Sequence, residues 1–317
     1  MINSWNSGPI RGSSHISSDL PCQDNVYSTT IGGFAIAAVS DGHGGKRYFR
    51  SQIGSDFAAS LSIQIISRLL TVKDFITRLQ FDPENTLTEL EIKLHSEWKS
   101  SVLAYDYANP LTDNEIKYLQ KNELMEDDPI KRYGCTLLIS VLGEEFSFCI
   151  QIGDGDIVCL YRDGTYSLPV PIDSRCVDNI TTSMCGIRAI EDFRHVFINS
   201  PVAAFMLSSD GVSTSFSNEN KFLEYARNAT VYCHKDLTHL LISDLHRRSG
   251  MVNCDDVSCA ILWNSELMGQ AESDVNLQYK GYFNLLSKQR EKELKSFIRS
   301  VAYMNKPNKK RHKSCNR

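Results

Sequence analysis

Apolar runs of strand length in this chain repeatedly meet aspartate at a turn. Asp24 stands just before Val26, Asp41 ends Phe34–Ser40, Asp154 ends Phe146–Gly153, Asp210 ends Val202–Ser209, and Asp255 and Asp256 open Val257–Trp263. A carboxylate at the end of a buried strand is costly unless it is paired or holds a cation. Converging carboxylates repel one another unless a cation gathers them, and oxygen-only ligands favour hard ions such as Mg²⁺ or Mn²⁺. Taken singly, each aspartate reads as a turn or cap residue, because Asp-Gly is a common turn dipeptide. Asp163-Gly164 is read as a turn only.

The strand Phe34–Val39 stops at Asp41-Gly42-His43-Gly44-Gly45, a run too rich in glycine for a helix or a strand interior. A helical pattern follows from Lys46 to about Leu70, with Ile53, Phe57, Leu61 and Ile65 on one face. Residues 72–81 and 84–106 are also helical in pattern, with Asp82 as N-cap and Pro83 at the first position. A short helix is expected at 112–122. Gly134–Leu142, Phe146–Ile152 and Asp156–Tyr161 read as strands spaced closely enough for an antiparallel meander. Strands follow at Phe193–Ile198 and Val202–Leu207. Helices are expected at 218–229 and 235–248, the second with Leu237, Leu240, Leu241 and Leu245 on one side.

This order lacks the strict strand–helix alternation of a doubly wound fold. It predicts an α+β protein, an antiparallel β-sandwich flanked by helices on both outer faces. The expected organisation is one domain over 1–264, a linker and amphipathic helix over 265–304, and a basic, disordered tail over 305–317.

Of the 317 residues 42% are apolar, enough for a sizeable core, and the net charge is −4. That balance excludes a disordered chain and a supercharged binder, and it argues against nucleic acid as a partner. No apolar run nears the roughly 20 residues of a membrane-spanning helix. The N-terminus has neither a basic nor an apolar leader region, and ten cysteines are too dilute for a disulfide scaffold. Both point to a cytoplasmic protein with reduced thiols, and Cys149, Cys159 and Cys259 read as small core residues. Lys306, Lys309, Lys310, Arg311, Lys313 and Arg317 make the tail basic, either as a solubilising end or as a dock for an acidic partner.

Asp41-Gly42-His43-Gly44-Gly45 resembles the signature of the metal-dependent serine/threonine protein phosphatases, the type 2C family. The resemblance continues in family order. Pro21-Cys22-Gln23-Asp24 is similar to the N-terminal acidic motif in its bacterial form, and Gly134-Cys135-Thr136 to the Gly-x-Thr strand start. Ile152-Gly153-Asp154-Gly155-Asp156 resembles Val-Gly-Asp-Ser, Ser208-Ser209-Asp210-Gly211 resembles Ser-Asp-Gly, and Asp255-Asp256-Val257-Ser258 resembles Asp-Asn/Asp-x-Ser/Thr. The resemblance implies hydrolysis of phosphoserine or phosphothreonine in proteins, by a water shared between two Mn²⁺ or Mg²⁺ ions. Carried over by motif, Asp41 bridges both ions, Asp24 and the Gly42 carbonyl bind one, and Asp210 and Asp255 bind the other. His43 becomes the general acid for the leaving oxygen.

Three positions depart from the family pattern. Gln23 stands where many members have Glu, and Asp19 where many have a phosphate-holding Arg, leaving Arg11 and His15 as substitutes. Thr214 stands where members with a third ion carry Asp, so Asp154 remains as a third-metal ligand without its partner. Asp256 stands open as an alternative to Asp255. The alternatives are a phosphatase-like pseudoenzyme that binds phosphoproteins, and a phosphohydrolase of small molecules.

Overall fold

The computed structural model describes residues 1–125, 128–176, 181–251 and 254–271. The chain opens with β1 (Ile2–Asn6), α1 (Ser13–Ser18) and the hairpin β2 (Asn25–Ile31) and β3 (Phe34–Ser40). The helices α2 (Ser51–Leu69), α3 (Lys73–Phe81), α4 (Pro83–Ala108) and α5 (Asp113–Lys121) follow, then a 3-10 turn at Pro129–Tyr133. Next come β4 (Leu137–Leu142), β5 (Ser147–Ile152), β6 (Asp156–Tyr161), β7 (Tyr166–Ser167), α6 (Ala189–Asp192), β8 (Arg194–Ile198) and β9 (Val202–Ser208). The last elements are α7 (Asp210–Ser213), α8 (Glu219–His234), α9 (Thr238–Ser249) and β10 (Cys259–Asn264).

The strands form two antiparallel sheets, β1-β10-β9-β6-β7 and β2-β3-β4-β5-β8. Period-two alternation decides what each face meets. In β3, Ala35, Ala37 and Val39 join Leu138, Phe205, Leu207 and Leu262 between the sheets, whereas Ile36 and Ala38 join the cluster containing Ala58, Ile66, Leu90 and Trp98 of α2 and α4. On the opposite outer face, Ala203 and Ala204 of β9 pack with Val231 of α8. The expected helix-flanked sandwich is therefore the architecture. Each large apolar side chain fully buried here contributes roughly 1.5–3 kcal/mol relative to exposure.

Four sequence expectations are corrected. The first helix begins at Ser51, because residues 46–50 turn and Arg50 is drawn into an ion cluster. The buried face of α2 is made mostly of small residues (Gly54, Ser55, Ala58, Ala59, Ser62) because the helix lies close on the sheet; of the expected apolar face Ile65 is buried beside Ile66, and Ile53, Phe57 and Leu61 flank it. The meander is broken: β4 pairs with β5, but β6 crosses to the other sheet and pairs with β9 and β7. Residues 265–271 are helical rather than linker. The Asn264 side chain accepts from the Glu266 N–H at 3.0 Å, and Met268 and Ala271 are buried against Ala203 and Val231. The rest of the expected linker and amphipathic helix, residues 272–304, and the basic tail lie outside the described residues. No helix of the described residues is long and apolar enough to cross a membrane.

Candidate functional site

Register gathers the aspartates. In the β2–β3 hairpin Asn25 faces Ser40, so Asp24 and Asp41 stand at the same end. Val39 faces Leu138, and Leu137 faces Ile152, which carries that end across β4 to the β5–β6 link. Asp156 and Cys259 both face Ser208 in the second sheet, so Asp154, Asp210 and Asp255 adjoin the corresponding end there. The sheet switch at Gly153–Gly155 thus sets Asp154 near Asp210.

Glycine allows the backbone to pass where it must. A Cβ at Gly42 would sit 2.7 Å from the Gln23 carbonyl oxygen and 2.9 Å from Ser51 backbone. The Gly42 N–H instead donates to that Gln23 carbonyl at 3.1 Å, locking the Asp41 loop to the Asp24 segment. The Asp41 N–H donates to Thr136 Oγ1 at 3.0 Å, and the Thr136 N–H to the Asp41 carbonyl at 2.8 Å.

These carboxylates are short of positive charge. Asp24 is 1% exposed, and Ser209 Oγ donates to its Oδ2 at 2.7 Å while Oδ1 has no partner. Asp210 Oδ1 and Gln23 Oε1 are likewise buried without partners. Burial pushes the Asp24 carboxyl far up from its ordinary value, and Asp256 and Asp210 add to the rise. Asp41 is pushed well up by burial and by Asp24, Asp210 and Asp255. Asp210 rises for the same reason, with Asp154 the first of its charged neighbours. Asp156, which the sequence reading treated only as the start of a strand, is raised to about 6 by burial and by Asp210 and Asp154. Unpartnered oxygens and mutual repulsion together describe an all-oxygen cradle for cations.

Asp256 behaves differently. Its Oδ1 accepts from the Gly12 N–H at 2.7 Å, and its Oδ2 accepts from the Gln23 N–H at 2.6 Å and meets His15 Nδ1 at 2.8 Å. Burial alone would raise its carboxyl, but these three bonds hold it below the ordinary value. Both oxygens of Asp256 are occupied, whereas the Asp255 side chain is 57% exposed. That contrast favours Asp255 of the two as an ion ligand.

His43 Nε2 lies 2.7 Å from Ser183 Oγ, and Ser183 Oγ donates to the Cys135 carbonyl at 3.2 Å. The ring meets Tyr48 edge-on at 4.8 Å, and burial lowers its pKa to about 4. The Arg11 guanidinium donates to the His15 carbonyl at 3.0 Å and faces exposed Asp19 at 3.7 Å. Thr214 Oγ1 turns back to the Asp210 carbonyl at 2.8 Å. Sequence reasoning missed Ser183, which lies in an irregular stretch without pattern. It also missed the role of Ser209, although that residue sits inside a motif. Beside Asp154 a cavity of about 240 Å³ is lined by Val170, Ile172, Asp173 and Arg194 among others.

With this geometry in place, the comparisons with known proteins can be read. The family model described as protein phosphatase 2C matches residues 11–240. The chain belongs to the protein phosphatase 2C family. Its fold is similar to the catalytic domain of serine threonine protein phosphatase PstP, solved in complex with two manganese ions. The TM-score is 0.51 at 17% identity, covering 83% of this chain and 97% of that one. A bacterial serine phosphatase gives a TM-score of 0.50 at 12% identity, covering 83% of this chain and 98% of its own. At such identities the likeness speaks to the fold alone. A search of curated proteins finds no match.

Proposed function

We propose that this protein 2C family member hydrolyses phosphoserine or phosphothreonine in proteins, using two Mn²⁺ or Mg²⁺ ions. The observation that carries this reading is the gathering of Asp24, Asp41, Asp210 and Asp255 at one end of the sandwich, with buried oxygens lacking partners. Asp24, Asp41 and the Gly42 carbonyl, together with Asp210 and Asp255, would hold the two ions. Bound there, the ions would supply Lewis acidity, acidifying water and neutralising charge on the phosphoryl oxygens.

The chain's own groups do the rest. Ser183 Oγ–H donates a hydrogen bond to the Cys135 carbonyl and so accepts from His43 Nε2–H, a tautomer that leaves Nδ1 as the proton-accepting nitrogen. A phosphoryl dianion entering beside this buried ring favours its charged form. His43 can then give a proton to the leaving serine or threonine oxygen, an otherwise poor leaving group. The Arg11–Asp19 pair is exposed on the Asp19 side and weak, so Arg11 can exchange it for a substrate phosphate. Asp154 lacks a carboxylate at Thr214 to share an ion with, so any third ion is weakly held. The cavity beside Asp154 gives room for residues flanking the phosphorylated side chain.

The test is turnover of an aryl phosphate and of a phosphoserine or phosphothreonine peptide with Mn²⁺. Activity should vanish with EDTA and with Asp41→Asn. Survival of either treatment would contradict the reading. Mn²⁺ binding without turnover would instead favour the pseudoenzyme, and faster turnover of nucleotides the small-molecule enzyme.

A further inference from the structure

Residues 12–15 are stitched to Met251 and to residues 254–256 before any ligand arrives. β1 pairs with β10, and the ladder continues as a bridge between Ile10 and Val257. The Gly12 segment then passes so close that a Cβ there would lie 2.3 Å from the Asp255 carbonyl carbon. Ser14 N–H and Oγ both donate to the Cys254 carbonyl, at 3.1 and 2.9 Å, and Ser13 Oγ donates to the Met251 carbonyl. This fixes His15, which is 8% exposed, with its ring between Asp255 and Asp256.

The two ring nitrogens then have different tasks. Nδ1–H donates to Asp256 Oδ2 at 2.8 Å, and that carboxylate is itself held by two backbone N–H groups. A carboxylate that fixes a histidine tautomer in this way is the usual outer partner of a metal-ligating imidazole. In that tautomer the Nε2 lone pair faces Asp255 Oδ1 at 3.4 Å. Asp255 Oδ1 also accepts from the Asp256 N–H at 2.8 Å, and an acceptor pair this close is held by a proton or a metal ion between its members. The spacing is one that two ligands bonded at roughly 2.1 Å to a single ion can keep. One oxygen of Asp255 and Asp256 and one nitrogen of His15 all lie within 4.8 Å of one another. Asp24, whose buried Oδ1 has no partner, adds to the negative charge around this ring.

We infer that His15 is itself a ligand, through Nε2, of the ion that Asp255 holds, and that Asp256 is its positioning residue. This rests on the reading above that Asp255 holds a cation. It replaces the phosphate-holding role that sequence reasoning offered for His15. An imidazole nitrogen in an otherwise oxygen site favours a transition ion over Mg²⁺, so the chain should select Mn²⁺.

The test uses the full chain loaded with Mn²⁺. Electron spin-echo modulation should show nitrogen coupling, and the coupling should change pattern when histidine is labelled with ¹⁵N. His15→Asn keeps a partner for Asp256 but removes Nε2. It should abolish the nitrogen coupling while Mn²⁺ still binds, and lower the preference for Mn²⁺ over Mg²⁺ at least tenfold, the effect of losing one such group. Should that variant fail to fold, a Mn²⁺-soaked crystal of the wild type decides, with Nε2 within ~2.3 Å of the ion. Mn²⁺ bound without nitrogen coupling, coupling retained in His15→Asn, or an unchanged Mn²⁺/Mg²⁺ preference would overturn the inference and leave the carboxylate site standing. Absence of any Mn²⁺ binding would overturn both.

Discussion

Arg50 is 6% exposed, and its guanidinium is fully engaged. It donates twice to Glu115, at 2.8 and 3.0 Å, to Tyr133 Oη at 2.9 Å, and to Asp106 at 3.3 Å, while Arg132 also donates to Asp106 at 3.1 Å. Glu115 is pulled down to about 2 by the Arg50 bond. Earlier in the chain, Asp24 and Asp41 are pushed up, and buried oxygens lack partners. One cluster contains its own guanidinium counterions, and among the described residues the other has only the His15 ring against Asp255 and Asp256. The Asp106 and Glu115 side chains are 19% and 24% exposed, whereas Asp24 is 1% exposed, but burial alone does not mark a functional site. The sign balance does: a matched cluster ties helices together, and an unmatched one waits for a ligand.

The contrast is sharpest in mutants. Asp41→Asn should cost several kcal/mol of transition-state stabilisation, about 10³-fold in kcat or more, when phosphopeptide turnover is followed with Mn²⁺. The same variant without metal should melt no lower than wild type, because a repulsive buried charge is gone. A lower melting temperature would mean that Asp41 has a stabilising partner and the site is no cation cradle. Arg50→Ala should do the reverse. It leaves Glu115 without its guanidinium partner while Arg132 still holds Asp106, and should cost about 1–3 kcal/mol in urea unfolding. A loss near zero would make the network a solvated surface feature. Gly42→Ala lies between the two clusters. Its Cβ has no room against Gln23 and Ser51, and the strain should cost about 1–3 kcal/mol and weaken Mn²⁺ binding in calorimetry.

The smallest effect concerns a third charged group. His195 Nδ1 bonds Glu91 at 2.8 Å, and this bond raises the imidazole pKa above 6.5 against the opposing pull of burial. A raised histidine stabilises fully below its unfolded value of 6.5 and loses that contribution as pH rises through the folded value. Melting temperatures of wild type and His195→Gln, followed from pH 6 to 8.5, should therefore converge as pH rises. A constant gap would show that the pair does not titrate.

Much of this was legible in the chain because the informative residues are local. Asp24, Asp41, Asp210 and Asp255 each lie at the end of an apolar strand, and strand ends can be read from alternation. Helix α4 was legible through Asp82 and Pro83 at its start, where the Asp82 side chain accepts from the Asn85 N–H. What stayed hidden depends on partners far apart in sequence. Nothing near Asp156 says that β6 joins β9 rather than β5, since period two is the same in either sheet. His15 and Asp256 are 241 positions apart, and Arg50 and Glu115 are 65 apart. The buried face of α2 was misread because close packing selects Gly54, Ala58 and Ala59 over the larger Ile53 and Phe57.

The most direct measurement is anomalous scattering from crystals grown with Mn²⁺. The account predicts two peaks among the carboxylates of Asp24, Asp41, Asp210 and Asp255, with Asp41 touching both. An empty cluster, or ions bound only elsewhere on the protein, would contradict it.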